Sequence, residues 1–302
     1  MLKIVGYHYV NDNNTSIFKN LKSLSIKDFK DQIRYIKKNY NIISLEELLH
    51  LKKIPNRSAL LTFDDGYLDH YKNVFPILYK EKISGIFFSP DVALNQNDIL
   101  DVNKIQIFLH MYNDKKKLFN EVCKQIEYHQ LDVKHFLKLI KKFSKSYDLR
   151  WHDKYSNNVR NLLQYILPKQ IRKKIINKIL NKNLHLDKKK IIKKMYLNKK
   201  QAKEMIKHGM FFGSHGSNHE WLEYMSYRQQ YDDIKNSKNN ILQLGVKSEH
   251  LTICYPYGSY NSDTIKIVKK LKFKYGFANY SKNVINLKKQ RFFLPRIDTN
   301  EF

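Results

Sequence analysis

Short runs of apolar, β-branched and aromatic residues alternate along this chain with longer stretches in which apolar residues recur every three or four positions. The short runs predict strands and the longer stretches predict amphipathic helices. Seven or eight strands separated by helices indicate an α/β protein whose parallel strands form a βα barrel. The predicted strands are 3–9, 41–43, 59–63, 85–89, 211–213, 252–255, 275–278 and 292–296.

Several predicted helices have recognisable first or last residues. Ser25 precedes an amphipathic stretch, and Asp28 lies where a carboxylate suits the exposed amides of the first turn. Ser44 and Asn198 are suitable capping residues for two further helices. The helix after Asn198 is expected to stop at Gly209, because glycine readily adopts the backbone conformation that ends a helix.

Residues 100–197 interrupt the alternation. Apolar pairs such as Phe108 with Leu109 and Leu162 with Leu163 are spaced as in amphipathic helices, and no strand is predicted among them. No linker rich in glycine and serine separates this segment from the rest. The sequence therefore predicts a single domain over 1–302 with a helical insertion at about 100–197.

The chain is strongly basic, with 56 Lys and Arg against 28 Asp and Glu and a formal net charge of +28. Residues 103–208 carry 28 of the basic side chains and only 8 acidic ones. Such a segment would attract phosphates, acidic glycans or an anionic membrane surface. The alternative is a solvated face, because lysine is abundant throughout the chain.

No apolar run is long enough for a membrane-spanning helix, and residues 1–10 lack the apolar stretch of a secretion signal. We therefore expect a cytoplasmic protein that can associate with the inner face of the membrane. The two cysteines, Cys123 and Cys254, are too few for a disulfide scaffold and are expected to pack as small apolar residues.

Chemically distinctive residues follow three of the predicted strands. Asp64 and Asp65 come after the strand 59–63, and two adjacent carboxylates repel each other unless a cation or a proton separates them. His215 and His219 follow another strand, four residues apart, so their imidazoles can converge on one ion. One carboxylate and two imidazoles would leave open coordination positions, as in a catalytic zinc site.

The third motif is Tyr255, Pro256, Tyr257 and Gly258, in a turn after the strand 252–255. Tyrosine rings there could stack on sugar faces, and the turn could expose a backbone amide to an oxyanion. An ordinary connecting loop would explain the same residues.

Taken together and in this order, the three motifs resemble the polysaccharide deacetylases, the NodB-homology or carbohydrate esterase 4 group. The opening around His8 and the closing segment that contains Arg296 and Asp298 are similar to a branch of that family. The resemblance covers about 1–95 and 198–302. It implies a distorted (β/α) barrel and metal-dependent hydrolysis of an N-acetyl, or sometimes O-acetyl, group on a sugar.

The resemblance also implies roles for individual residues. Asp64 would be the general base, and the backbone amide of Tyr257 would help to hold the tetrahedral oxyanion. Asp65, His215 and His219 would be the ligands of a divalent metal, with zinc expected. The remaining residues of the third motif and the closing segment are predicted to bind substrate: Tyr255, Pro256, Gly258 and Arg296.

Two features of the family pattern are missing from this chain. Many members have a histidine near the end that protonates the leaving amine, but the corresponding segment here contains Arg296 and Asp298. The aspartate and tryptophan motif expected before it is replaced by 277–280. His8 is the first candidate for the general acid, and Asp298, paired with Arg296, is the second.

The sequence thus predicts a metal-dependent hydrolase of carbohydrate metabolism that deacetylates an amino sugar in a glycan or in a lipid-linked or nucleotide-linked precursor. The lysines between 169 and 194 would suit a substrate that bears a diphosphate or a membrane headgroup. Two alternatives are open: a catalytically silent member that binds glycan, suggested by the missing acid histidine, and a protein that binds nucleic acid, suggested only by the charge.

Overall fold

The computed structural model describes residues 1–12, 23–144, 153–183 and 187–299. Its nine strands form one sheet in the order β8-β7-β6-β5-β4-β3-β1-β9, with β2 paired to β3, and every pairing of named strands is parallel. The strands are β1 Leu2–Tyr7, β2 Asn41–Ile42, β3 Ser58–Phe63, β4 Ile86–Ser89, β5 Phe211–Ser214, β6 Thr252–Cys254, β7 Tyr275–Ala278, β8 Leu294–Pro295 and β9 Ile297–Asp298.

The sheet curls into a nearly closed barrel. Strands β8 and β9 lie at the two ends of the sheet order, yet Arg296 alone separates them along the chain. Consecutive residues can reach both edges only if the edges approach each other, so the predicted (β/α) barrel is confirmed. The structure has two short strands where the sequence predicts one strand over 292–296. The first pairs with β7 up to Pro295, and the second pairs with β1 from Ile297.

Alternate residues of each strand face opposite sides of the sheet, as the pleat requires. Leu60 and Phe88 belong to one apolar cluster, whereas Leu61 and Phe87 belong to the other, which also contains residues of the helix α1 (Ile26–Asn39) such as Ile33. Both sides of the sheet are therefore buried, which explains why the strands read as continuous apolar runs.

The described residues divide into two compact units. One consists of 1–12, 23–98 and 189–299, and it contains the barrel; the other consists of 99–144, 153–183 and 187–188. The described residues of the second unit are helical and contain no strand. Its interior includes Phe108, Leu118, Val122 and Leu162.

Serine and asparagine side chains begin the helices as predicted. Ser25 accepts a hydrogen bond from the Asp28 amide at the start of α1, and Ser44 and Asn198 form capping boxes. The remaining helices are α2 Leu45–His50, α3 Phe75–Lys80, α4 Asp91–Leu94, α5 Asp101–Met111, α6 Lys115–Tyr128, α7 Val133–Ser144, α8 Lys154–Asn161, α9 Lys169–Asn183, α10 Lys188–Met195, α11 Lys199–Lys207, α12 Tyr227–Gln243, α13 Ser262–Lys270 and α14 Leu287–Gln290.

Two π-helical turns, His70–Val74 and Leu162–Ile166, precede or follow these helices, and short 3₁₀ turns occupy Leu222–Tyr224, Ser248–His250 and Pro256–Gly258. Within the described ranges, none of the helices combines the length and the apolar character that crossing a membrane requires. Both cysteines are free; Cys254 is buried, as predicted, whereas Cys123 is only partly buried.

Candidate metal-dependent active site

The three sequence motifs meet at one end of the barrel. Asp64 and Asp65 directly follow β3, His215 directly follows β5, and the turn Pro256–Gly258 comes after β6. Because the strands are parallel, all three motifs lie at the carboxyl end of the sheet, which is the end where barrel enzymes carry their active sites.

Asp65, His215 and His219 converge on a common point. The Oδ1 atom of Asp65 lies 3.5 Å from Nε2 of His215 and 3.1 Å from Nε2 of His219. One candidate ligand atom from each of the three residues lies within 4.8 Å of the others, and all three side chains are buried. Asp65 and His219 adopt positive φ angles of 73° and 55°, so the backbone is strained where it turns these side chains toward each other.

The hydrogen bonds around these residues fit a divalent cation. Nδ1 of His215 donates to the carbonyl oxygen of Cys254 at 2.7 Å, which leaves the Nε2 lone pair for a metal. The Tyr67 hydroxyl donates to Oδ2 of Asp65 at 2.8 Å, whereas Oδ1 is buried without a hydrogen-bond partner. A carboxylate with two imidazoles provides three ligands and leaves coordination positions for water or substrate.

The loop that carries the two histidines is held by buried carboxylates. Asp233 on α12 accepts a hydrogen bond from the Ser217 amide at 2.9 Å, and Asp91 on α4 accepts one from the Ser217 hydroxyl at 2.6 Å. A side chain at Gly216 would place its Cβ 2.8 Å from Oδ2 of Asp233, and the φ of this glycine is +69°. Position 216 thus needs glycine for both conformation and space.

Asp64 occupies a different environment although it is adjacent to Asp65. Arg296 donates two hydrogen bonds to it, at 2.8 Å to Oδ1 and 2.5 Å to Oδ2, and both side chains are about 2% exposed. Burial alone would raise the pKa of Asp64, but Arg296, followed by His215 and His8, outweighs it and holds this pKa at about 2. Asp64 is therefore ionised at neutral pH.

The sequence predicts Arg296 at the substrate and in a pair with Asp298. Its side-chain hydrogen bonds go to Asp64 and to the Thr62 hydroxyl, so the pair forms with Asp64, and the substrate contact stays a prediction. The interior of the barrel brings residues 64 and 296 together, and no sequence spacing indicates that contact. A second grouping of possible ligands, Asp64 with His215 and Cys254, is less suitable for a metal because the positive charge of Arg296 already lies against the Asp64 carboxylate.

The first candidate for the general acid, His8, lies beside Asp64. Nε2 of His8 is 3.8 Å from Oδ2 of Asp64, and the His8 side chain is 41% exposed, so it can meet a substrate. The backbone of His8 is fixed by Nε2 of His70, which donates to the His8 carbonyl at 2.7 Å. Asp298 lies on β9 opposite Gly6 of β1. Both acid assignments remain predictions.

The two tyrosines of the turn after β6 differ in burial, although the sequence predicts that both contact the substrate or the oxyanion. Tyr255 is fully buried, and its hydroxyl donates to the Phe292 carbonyl at 2.6 Å, so its side chain packs inside the protein instead of facing a substrate. Tyr257 is partly exposed, with a φ of 59°, and its ring lies 4.6 Å from that of His219. Pro256 begins the turn, and Gly258 follows with a φ of 71°.

Burial and neighbouring charges also control Asp65. Burial would raise the pKa of its carboxyl group, but the His219 and His215 imidazoles outweigh that effect and hold it well below its usual value. An ionised Asp65 is the form that a metal ligand requires. The hydroxyl of Tyr67 orients this carboxylate, a role that the sequence analysis did not assign. The position of Tyr67, two residues after Asp65, could have suggested the contact.

Comparisons with known proteins agree with the motifs. The profile of the family described as polysaccharide deacetylase matches residues 145–276. The poly-β-1,6-N-acetyl-D-glucosamine N-deacetylase of Staphylococcus aureus is 26% identical over 279 residues, which cover 91% of this chain and 67% of the relative.

Two solved structures share the fold. The deacetylase PplD of Streptococcus pyogenes, solved in complex with acetate, superposes with a TM-score of 0.59 at 19% identity and covers 98% of this chain and 91% of its own. IcaB from Ammonifex degensii gives a TM-score of 0.54 at 16% identity over 99% of this chain and 91% of its own. In its motifs, its barrel and these comparisons, the chain is similar to the polysaccharide deacetylases, and these similarities support a carbohydrate deacetylase.

Proposed function

We propose that this chain hydrolyses the N-acetyl group of an amino sugar within a polymer that resembles poly-N-acetylglucosamine, using a divalent metal held by Asp65, His215 and His219. The observation that carries the proposal is the pairing of a buried three-residue ligand set with a second, separately held carboxylate beside it. The polymer is suggested by the substrate in the name of the Staphylococcus relative.

The metal, when bound, would polarise the acetyl carbonyl and lower the pKa of a water molecule. Asp64 accepts the proton from that water; Arg296 keeps the carboxylate ionised and fixes its orientation. The Tyr257 amide donates to the oxyanion that develops on the carbonyl, a contribution that is typically worth about 3 kcal/mol. His8 delivers a proton to the leaving nitrogen.

Zinc is the proposed ion, because two imidazoles and one carboxylate are ligands that zinc accepts in open catalytic sites. The basic residues within 103–208 support a polymer or precursor that carries phosphate, or association with an anionic membrane surface. If either holds, affinity will decrease as salt rises from low to physiological concentration. An intracellular location remains a prediction.

The experiment measures acetate release by the purified full chain from acetylated β-1,6-linked glucosamine polymer, chitin oligosaccharides and a nucleotide-linked N-acetyl sugar. Each substrate is tested after chelation and after stepwise return of zinc. Release that needs the metal and disappears in Asp64→Asn supports the proposal. Saturable glycan binding without acetate release would instead indicate the silent glycan-binding member.

A further inference from the structure

The loop that follows β1 carries the first candidate for the general acid. Residues 8–11, which we call the β1 loop, begin directly after Tyr7, the last residue of β1. Nε2 of His8 lies 3.8 Å from Oδ2 of Asp64, and the His8 side chain is 41% exposed. This distance is too long for a hydrogen bond, so Asp64 does not by itself fix the position of His8.

The β1 loop is bound by a π-helical turn, His70–Val74, that follows the two aspartates at the end of β3. Nε2 of His70 donates to the His8 carbonyl at 2.7 Å, and the Asn73 side chain donates to the Val10 carbonyl at 2.8 Å. Because π-helical turns are rare and are frequently found at functional sites, these two contacts indicate a role beyond the packing of the barrel.

A carboxylate just before this turn also binds the loop. Asp69 accepts a hydrogen bond from the Asn11 side chain at 2.5 Å and another from the Val10 amide. Groups at three of the four loop positions are therefore bound by side chains from one short segment. We call these three side chains, Asp69, His70 and Asn73, the clamp.

Ring stacking holds the fourth position of the loop. The ring of Tyr9 lies 4.0 Å from that of Tyr67, with an angle of 21° between the planes. The Tyr67 hydroxyl in turn donates to Asp65. The segment 64–73 thus contains the proposed base and one proposed metal ligand, and it also binds the loop that carries His8. The position of His8 relative to both therefore depends on this one segment.

We propose that the clamp positions His8 to protonate the leaving nitrogen, so that its hydrogen bonds control the rate of this step rather than the affinity for substrate. Each clamp residue acts through the β1 loop and is a positioning residue. A general acid must lie within about 3 Å of the atom that receives its proton, and a displacement of about 1 Å can cost a hundredfold in rate. This inference rests on the proposed function, because it assumes a deacetylase whose acid is His8.

Two acetyl substrates with different leaving groups test the clamp. The nitrogen of an acetylated glucosamine oligomer must be protonated as it leaves, whereas the phenolate of nitrophenyl acetate leaves without a proton. Asn73→Ala and Asp69→Ala should therefore lower kcat for the oligomer about tenfold to a hundredfold, with KM within about twofold and kcat for the ester within about threefold. His8→Ala should show the same selectivity with a larger loss.

Matched variants separate positioning from folding. Lys72→Ala changes an exposed residue of the same turn and should leave both reactions within about twofold of the wild type. Asp69→Asn keeps a side-chain oxygen that can accept from Asn11, so it should recover most of the activity on the oligomer. Equal losses on the two substrates, as a damaged metal site would give, or unchanged oligomer turnover in both alanine variants would overturn the clamp.

Amide hydrogen exchange separates this inference from the proposed function. Asn73→Ala should speed exchange in a peptide that spans 8–11 about tenfold, with no change in a peptide that contains His215. Unchanged exchange at 8–11 would overturn the clamp whatever the activity. If the wild type releases acetate from neither substrate, the hydrolase is overturned, and faster exchange in Asn73→Ala would still support the clamp as the group that holds the β1 loop.

Discussion

The barrel carries a cluster of one carboxylate and two histidines at each end of its parallel strands. At the carboxyl end, the side chains of Asp65, His215 and His219 are only 2–7% exposed. At the amino end, Glu46 on α2 contacts His50 at 3.3 Å and also pairs with His250, which precedes β6.

The two clusters have similar residues but different surroundings. The Glu46 and His50 side chains are 50% and 77% exposed. Among the described residues, Glu46, His50 and His250 do not form a group whose ligand atoms are close enough to share an ion. The pKa of Glu46 is lowered by its hydrogen bond to His250, but water screens this contact. Convergence, burial and fixed orientation, rather than composition, therefore distinguish the proposed metal site from the cluster at the amino end.

The largest expected difference comes from removing one histidine from each cluster. His215→Ala should abolish tight zinc binding and lower deacetylation about a thousandfold, because the ion loses an oriented ligand. His250→Ala should leave both within about twofold, since His250 pairs with Glu46 and contacts none of the three candidate metal ligands. Zinc content by mass spectrometry and acetate release check this, and equal losses in the two variants would contradict the assignment.

The next comparison separates the base from the metal ligands. Asp64→Asn should lower kcat about a hundredfold to a thousandfold, because an amide cannot accept the proton of the attacking water. Zinc affinity should change little, since Arg296 rather than the metal holds this side chain. The control is Glu46→Gln, the same chemical change in the other cluster. Near-normal turnover in Asp64→Asn would show that Asp64 is not the base.

The buried imidazole of His70 should make stability depend on pH in the acidic range. Burial lowers the pKa of His70 to about 4, from an unfolded value near 6.5. As the pH falls, the unfolded chain binds a proton at His70 before the folded chain does. The contribution of neutral His70 to the free energy of unfolding is therefore complete above pH 6.5 and is lost as the pH falls toward 4. Over this pH range the free energy of unfolding should decrease by about 3 kcal/mol.

Chemical denaturation at pH 7 and pH 4.5 measures this effect. The pH dependence of the unfolding free energy should be shallower in His70→Gln than in the wild type. Identical pH dependence in His70→Gln and the wild type would show that His70 is not held neutral.

The smallest expected effect belongs to the exposed pair itself. Glu46→Gln should leave the melting temperature within about 1 °C of the wild type at physiological salt, because water and ions screen charges at the surface. Thermal unfolding at low and physiological salt checks this. A large decrease would mean that the amino-end cluster stabilises the fold more than its exposure indicates.

Some features could be read from local patterns because local physics decides them. The strands were recognised because a sheet covered on both sides needs continuous apolar runs. The capping residues Ser25, Ser44 and Asn198 were recognised because a helix start needs a side-chain acceptor within three residues. The adjacency of Asp64 and Asp65 likewise marked the site.

Contacts between distant residues were not readable in this way. The pairing of Arg296 with Asp64 spans 232 positions, and the stacking of Trp221 on Tyr257 joins two separate loops. Tyr255 and Tyr257 look equivalent in the sequence, but the turn buries one and exposes the other. Only the closure of the barrel makes these distinctions.

The sequence by itself determined the order of strands and helices, the chemical types at the strand ends and the resemblance to a family, since each depends on neighbours along the chain. The tertiary structure decided which carboxylate faces the histidines, which is held by Arg296, and which of two similar clusters is buried. The physical reason is that desolvation and orientation depend on groups brought together from remote parts of the chain, and these two factors set the charge and the ligand geometry of the site.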